Sequence, residues 1–277
     1  MAVDYDSVTG GSRTFRTPGC DTSSKQPAAT RQLFRLIVVM LGITLITPEA
    51  VGQQSAWRPT NGPMAAHVSA IAVDADGTVY AGTFKEGVFR SENDGHSWTR
   101  IGLDLVDVRG LVIEPGGQLL VGTFGDGVYK SSDRGESWEG LNVGLADPRV
   151  QALISDGEGA ILAGTFGSGV FRLEGGAWQP SNDGLTDIDV RSLAFGRRGT
   201  AYAACRRGGV FASSDSGRTW ALLDGGSRLG ALRFVFARGN QVVAAGWVGG
   251  IARNYSREGA WTPIANGLPN QKVWTVA

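Results

Sequence analysis

The 277-residue chain is 42% hydrophobic and 19% charged, enough apolar material for a substantial core and too ordered a composition for a disordered chain. Lys plus Arg and Asp plus Glu each number 26, so the net charge is zero, and no basic block is available to track phosphates; nucleic acid is excluded as a partner. The 42 glycines lack the every-third spacing of collagen and point to many tight turns.

Residues 1–30 are polar and rich in Ser, Thr and Gly, and read as a disordered or misassigned N-terminal extension. Residues 31–52 read as a signal peptide. Arg31 and Arg35 precede an apolar run, residues 36–46, that is shorter than the roughly 17–25 residues a spanning helix needs. Ala50-Val51-Gly52 offers small residues for cleavage before Gln53, so the mature chain is expected to be secreted or periplasmic with no membrane span. The alternative is an uncleaved N-terminal membrane anchor. Cys20 lies in the part removed, which leaves Cys205 without a disulfide partner. His67 and His96 are the only histidines, too few for a zinc site, and Gly125-Asp-Gly127 and Gly167-Ser-Gly169 are hairpin tips rather than phosphate loops. No cofactor is expected.

From residue 53 onward the chain repeats. Residues 68–90 recur at 108–130, 150–172 and 190–212, and more loosely from Ala231, while Trp57, Trp98, Trp138, Trp178, Trp220 and Trp261 keep a spacing of 40–42 residues. Each unit holds four short apolar runs separated by turns, as in 68–73, 78–84, 87–90 and the run around the tryptophan. No segment carries apolar residues at helical spacing, so an α-solenoid is rejected. Four antiparallel strands at this period predict an all-β fold, a β-propeller of four-stranded antiparallel blades, because one blade cannot bury both faces alone. There are five full repeats plus partial blades at both ends. Trp57 has the phase of a last strand and residues 273–277 that of a first strand, so 53–277 reads as a propeller incomplete at its C-terminus, a truncated six- or seven-bladed ring. Unpaired strand edges left by such a gap are expected to make the chain self-associate.

The turn before each tryptophan has its own pattern: Ser91-Glu-Asn93-Asp-Gly95-His-Ser97-Trp98, Ser131-Ser-Asp133-Arg-Gly135-Glu-Ser137-Trp138 and Ser213-Ser-Asp215-Ser-Gly217-Arg-Thr219-Trp220. It resembles the Asp-box, Ser-x-Asp-x-Gly-x-Thr-Trp, of the bacterial neuraminidase repeat (BNR) family within the sialidase-like propellers. The third and fifth units depart from it at Leu173-Glu-Gly-Gly-Ala-Trp178 and Asn254-Tyr-Ser-Arg-Glu-Gly-Ala-Trp261, and their turns are expected to differ. The box reads as a local turn staple, with the acid accepting backbone N–H groups, the glycine taking φ > 0 and the tryptophan covering its own hairpin.

The resemblance implies that hairpin tips between second and third strands share a ligand-binding face with the connections between blades, opposite the boxes. Aligned tips carry Phe84, Phe124, Phe166, Arg206 and Trp247; the positions before the inner strands carry His67, Asp107, Arg149, Asp189 and Lys272, with Gly230 in the fifth unit. Aromatics there suit sugar rings or peptide side chains, or wedge between blades; the charges suit a polar ligand, or form a solvated rim. Arg206 and Trp247 break the repeat and are the stronger candidates. A protein or glycan ligand is expected. Catalysis is the weaker reading. Sialidases need an arginine triad, a Phe-Arg-Ile-Pro-like motif, of which Trp57-Arg58-Pro59 falls one residue short, and a Tyr–Glu pair, whereas Tyr80, Tyr129 and Tyr202 share one repeat position and read as packing. Asp107 and Asp189 remain a formal acid pair for a glycosidase. The expectation is thus a non-catalytic ligand-binding, sensor or assembly-scaffold propeller, with a glycoside hydrolase as the alternative.

Overall fold

The computed structural model describes residues 62–63, 67–223, 230–247, 250–255 and 260–264. The extension, the leader, Trp57 and residues 265–277, and with them the readings of both chain ends, lie outside these. The described residues form five sheets, each of four strands. The first holds β1 (Val68–Val73), β2 (Val79–Thr83), β3 (Val88–Ser91) and β4 (Thr99–Arg100). The second holds β5 (Val108–Ile113), β6 (Leu119–Thr123), β7 (Gly127–Ser131) and β8 (Glu139–Gly140). The third holds β9 (Val150–Ser155), β10 (Ile161–Thr165), β11 (Val170–Glu174) and β12 (Ala177–Pro180). The fourth holds β13 (Val190–Phe195), β14 (Ala201–Cys205), β15 (Gly209–Ser213) and β16 (Ala221–Leu222), with one 3-10 turn at Arg197–Gly199. The fifth holds β17 (Leu232–Arg238), β18 (Gln241–Gly246), β19 (Ile251–Asn254) and β20 (Thr262–Pro263). Within each sheet the strands pair antiparallel in chain order, and the first strands β1, β5, β9, β13 and β17 pack side by side. The architecture is a β-propeller.

Blades associate through apolar faces that one sheet cannot cover alone. Each core cluster draws residues from two neighbouring blades: Tyr80 and Val88 pack with Val108 and Leu111, Leu120 and Val128 with Val150 and Leu153, and Leu162 and Val170 with Val190 and Leu193. Val210 packs with Leu232 and Val235 in the same way. The repeated glycine of the second strand explains how closely the sheets approach. A Cβ on Gly82, Gly122 or Gly164 would fall within 2.8 Å of the Val108, Val150 or Val190 side chain on the next blade. In the fourth blade Ala204 takes the glycine's place, and the facing residue is Leu232, whose branch lies one carbon farther out. β1 differs from its counterparts. Val68 and Ile71 are 43% and 64% exposed, whereas Val108, Val150 and Val190 are fully buried.

The tryptophans link blades, which corrects the reading of them as covers for their own hairpins. The indole Nε1 of Trp138 donates to the Ile101 carbonyl at 2.7 Å, that of Trp178 to Leu141 at 2.7 Å and that of Trp220 to Ser181 at 2.8 Å. Each acceptor lies just past the fourth strand of the preceding blade. The box glycines sit against that blade too: a Cβ on Gly135 would meet Ile101 at 2.3 Å, and one on Gly217 would meet Leu162 at 2.6 Å. Trp98, on the first described blade, donates instead to Gly95 of its own turn. The third unit reaches the same end by a different turn, as expected. Gly175 and Gly176, at φ of 57° and 83°, close a two-residue hairpin that delivers Trp178 to its pocket. The turn of the fifth unit falls on residues outside those described.

Candidate functional site

The two rows of residues aligned in the sequence meet in pairs. The backbone N–H of each tip residue donates to the carbonyl of the residue ahead of its blade's inner strand: Phe84 to His67, Phe124 to Asp107, Phe166 to Arg149 and Arg206 to Asp189, at 2.8–3.0 Å. In the fifth blade Trp247 donates to Ala231, which corrects the alignment on Gly230 by one residue. The register slips because Leu232, fully buried, fills the place of Val190. Lys272 lies outside the described residues.

Side chains at this mouth form a belt of stacked cations and rings. The Arg109 guanidinium lies 5.9 Å from the Phe84 ring centroid and 5.5 Å from that of Phe124, Lys85 also lies over Phe84, and Phe124 meets Phe166 edge-on at 5.7 Å. Arg149 and Arg191 lie over Phe166 at 4.9 and 4.6 Å, and Arg233 lies over Trp247 at 5.1 Å. Arg109, Arg191 and Arg233 occupy the second position of their inner strands and were not singled out in the sequence. A charged residue inside an otherwise apolar inner strand was the available signal. The phenylalanines thus contact the next blade with guanidiniums beside their rings, and Phe84 remains 41% exposed.

The acids here are counterions. Asp107 pairs with Arg109 at 2.7 Å, and both oxygens of Asp189 lie 2.7 Å from nitrogens of Arg191. Arg206 is 3.7 Å from Asp189 and half exposed. Two further acids, three residues ahead of their strands, brace the tips. Buried Asp147 accepts from the Arg149 side chain and from the Gly167 N–H, and Asp187 accepts from the N–H groups of Arg207 and Gly208. Burial works to raise the Asp147 pKa, but the hydrogen bonds from Arg149 and Gly167 outweigh it and hold the carboxyl below its usual range. Burial, followed by the neighbouring guanidiniums of Arg191, Arg109 and Arg206, lowers the pKa of Arg233.

Phe166, Arg191, Arg206, Leu232, Arg233 and Trp247 enclose a recess of about 260 Å³. The opposite ends of the inner strands enclose a hollow of about 370 Å³ lined by uncharged residues, among them Val73, Ile113 and Phe195.

The Ser-x-Asp turns lie away from that mouth and are satisfied internally. Ser131 Oγ donates to Asp133 at 2.8 Å and accepts the Gly135 N–H at 2.8 Å, while Asp133 accepts the Ser137 N–H and hydroxyl at 2.9 and 2.6 Å. Asp215 accepts from Ser213, from the Arg218 and Thr219 N–H groups and from the Thr219 hydroxyl at 2.6–3.0 Å, and Asn93 takes the same place between Ser91 and Ser97. These bonds hold consecutive residues in the left-handed region, Arg134 and Gly135 at φ of 62° and 93°, Ser216 and Gly217 at 58° and 85°.

Hydrogen bonds from the Ser137 hydroxyl and N–H, then from Ser131, bring the Asp133 pKa down to about 2. Partial burial opposes the same effect at Asp215, but the bonds from Ser213, Thr219 and Arg218 prevail and hold it well below the usual range. A carboxyl with a folded pKa below its unfolded value of about 3.9 stabilises fully above that pH and loses the contribution as pH falls through the folded value. Thermal melts are therefore expected to fall between about pH 4 and pH 2. Asp215→Ala is expected to cost roughly 1–3 kcal/mol at neutral pH and to flatten this acid limb. A melt unchanged in both respects would contradict the structural role of the turn.

The chain matches no family model and no curated protein. Its likeness is to solved β-propellers. YCF48 bound to a D1 peptide is 20% identical, with a TM-score of 0.56 over 71% of this chain and 67% of that one. The extracellular domain of the putative hybrid two-component system BT3049 from B. thetaiotaomicron is 18% identical, with a TM-score of 0.60 over 74% of this chain and 30% of that one. The chain thus spans less than a third of that protein's length. Virginiamycin B lyase from Staphylococcus aureus is 14% identical, with a TM-score of 0.61 over 74% of this chain and 71% of that one. At these identities the likeness establishes the fold. Among the described residues no helix is long and apolar enough to cross a membrane.

Proposed function

We propose that this chain is a non-catalytic, extracytoplasmic propeller of the Asp-box type that binds a ligand at the arginine-lined mouth and serves as a sensor or assembly scaffold. The observation that carries this reading is the recess where the repeat breaks. Arg206 and Trp247 replace the phenylalanine of the first three blades and face Arg191 and Arg233 across it. Residues that hold the repeat together recur in every blade; residues unique to one or two blades around a concavity are free to serve recognition. Propellers of similar fold include one solved with a bound peptide and the extracellular domain of a putative two-component system, alongside a lyase.

The acids at the mouth argue against hydrolysis. Asp107 and Asp189, each just ahead of an inner strand, pair with the arginine two residues on, and one oxygen of each is shut off from solvent, so neither carboxylate is turned to a substrate. Tyr80 is fully buried between blades and Tyr202 packs into the next core cluster, so neither is placed as a nucleophile. The leader, residues 31–52, supports export.

A peptide and glycan array probed with the full chain tests this reading. Binding should appear on one class of probe and disappear with Trp247→Ala while the melt is retained. Turnover of aryl glycosides, or binding indifferent to both Trp247 and Arg206, would contradict it.

A further inference from the structure

We infer that the recess between Phe166, Arg191, Arg206, Arg233 and Trp247 takes a carboxylate of an acidic peptide. The inference rests on the mouth being the binding face, and its first support is charge. Three guanidiniums line the recess, and one carboxylate, Asp189, stands beside them. Asp189 is committed to Arg191 by two contacts of 2.7 Å, and Arg191 is almost wholly buried behind it. Arg206 stands 3.7 Å from the same acid, beyond the 2.7–2.9 Å or so of a charge-assisted hydrogen bond, with its side chain 47% exposed. Its planar fork lines the recess and can offer a carboxylate two parallel hydrogen bonds.

The second support is what the aromatic rings do. A pyranose binds by laying its face on an exposed ring. Here cations already lie against the rings: Arg149 and Arg191 over Phe166, and Arg233 over one face of Trp247, which is 42% exposed. A guanidinium stacked on a ring keeps its N–H edge for in-plane bonding. Phe166 and Trp247 therefore act as backing that holds cations in place, and with Arg149 and Arg191 paired to Asp147 and Asp189 the fork open to a ligand is that of Arg206. Peptide carboxylates fit such a surface better than sugar rings.

Size is the third support. About 260 Å³ lies below the range of roughly 300–1,000 Å³ in which whole small molecules are enclosed, so the recess holds one group of a ligand that continues outside it. Both sources of a peptide carboxylate, an acidic side chain and a free C-terminus, meet that description.

Fluorescence anisotropy on the full 277-residue chain at low salt decides the matter, with four probes: a labelled, C-terminally amidated Gly-Glu-Glu-Glu-Gly peptide, its Gln counterpart, a labelled Gly-Gly-Gly peptide with a free C-terminus, and glucuronate as a competitor. The Glu peptide should bind at least tenfold more tightly than the Gln peptide. Arg206→Met, which keeps the stem and removes the fork, should erase that difference, whereas Arg207→Met next to it should not; both variants should melt as the parent does. Binding of the Gly peptide would assign the site to the C-terminus and of the Glu peptide to side chains, and either supports the inference. Equal, measurable binding of the Glu and Gln peptides, binding unchanged in Arg206→Met, displacement by glucuronate at equal concentration, or no binding of any peptide would overturn it. A Gln peptide that binds as well as the Glu peptide but is lost with Trp247→Ala would refute the carboxylate while keeping the binding face; indifference to both side chains would remove both.

Discussion

Replacing Trp220 with alanine is expected to lower the unfolding free energy by about 3–5 kcal/mol. The indole is 5% exposed and belongs to the cluster shared by the third and fourth blades, with Leu162, Val170 and Leu193. Truncation leaves a cavity on that boundary and deprives the Ser181 carbonyl of its 2.8 Å donor. Trp98 supplies the control, since it occupies the same repeat position, is only partly buried and bonds within its own turn. Trp98→Ala should cost less than half as much. Urea unfolding midpoints of the two variants measure the difference, and equal losses would return the tryptophans to a local role within each hairpin.

Gly164→Ala is expected to destabilise by about 1–3 kcal/mol, a large effect for one methyl group in a strand of ordinary φ. The added carbon would sit 2.6 Å from Val190 Cγ1 and 3.2 Å from Leu193 Cδ1, and β10 lies between β9 and β11, so backbone shifts are resisted on both sides. The fourth and fifth blades already contain the compensated version, Ala204 facing Leu232. Val190→Leu in the Gly164→Ala background should therefore recover part of the loss, with a coupling of at least about 0.5 kcal/mol between the two sites. Additive losses in a double-mutant cycle would show that the glycine–valine contact does not set the blade spacing.

The sequence and the structure agree most where a residue acts through the repeat. A period near 41 residues, apolar alternation and the recurrent turns were enough to read five four-stranded blades, because each blade must bury its faces on a neighbour and the repeated positions record how. The mouth was partly legible for the same reason: aligning the tips placed Phe84, Phe124, Phe166, Arg206 and Trp247 together, and the structure pairs each with the residue ahead of its inner strand. What stayed hidden depended on contacts between repeats. Arg109, Arg191 and Arg233 look like single polar interruptions of apolar strands until neighbouring blades bring them to one opening. Asp147 and Asp187 look like ordinary loop acids until each is seen holding a tip about 20 residues ahead of it. The same limit misled the reading of the tryptophans, whose hydrogen-bond acceptors lie 37–39 residues back in the chain.

Hydrogen exchange, measured on the full chain with and without the tightest-binding array ligand, tests binding at the arginine-lined mouth most directly. Protection should concentrate on residues 204–208, 231–235 and 245–247, and the turns at 131–138 and 213–220 should exchange as in the free chain. Protection of those turns, or of the hollow around Val73, Ile113 and Phe195, with the mouth unchanged would contradict a ligand site among Arg191, Arg206, Arg233 and Trp247.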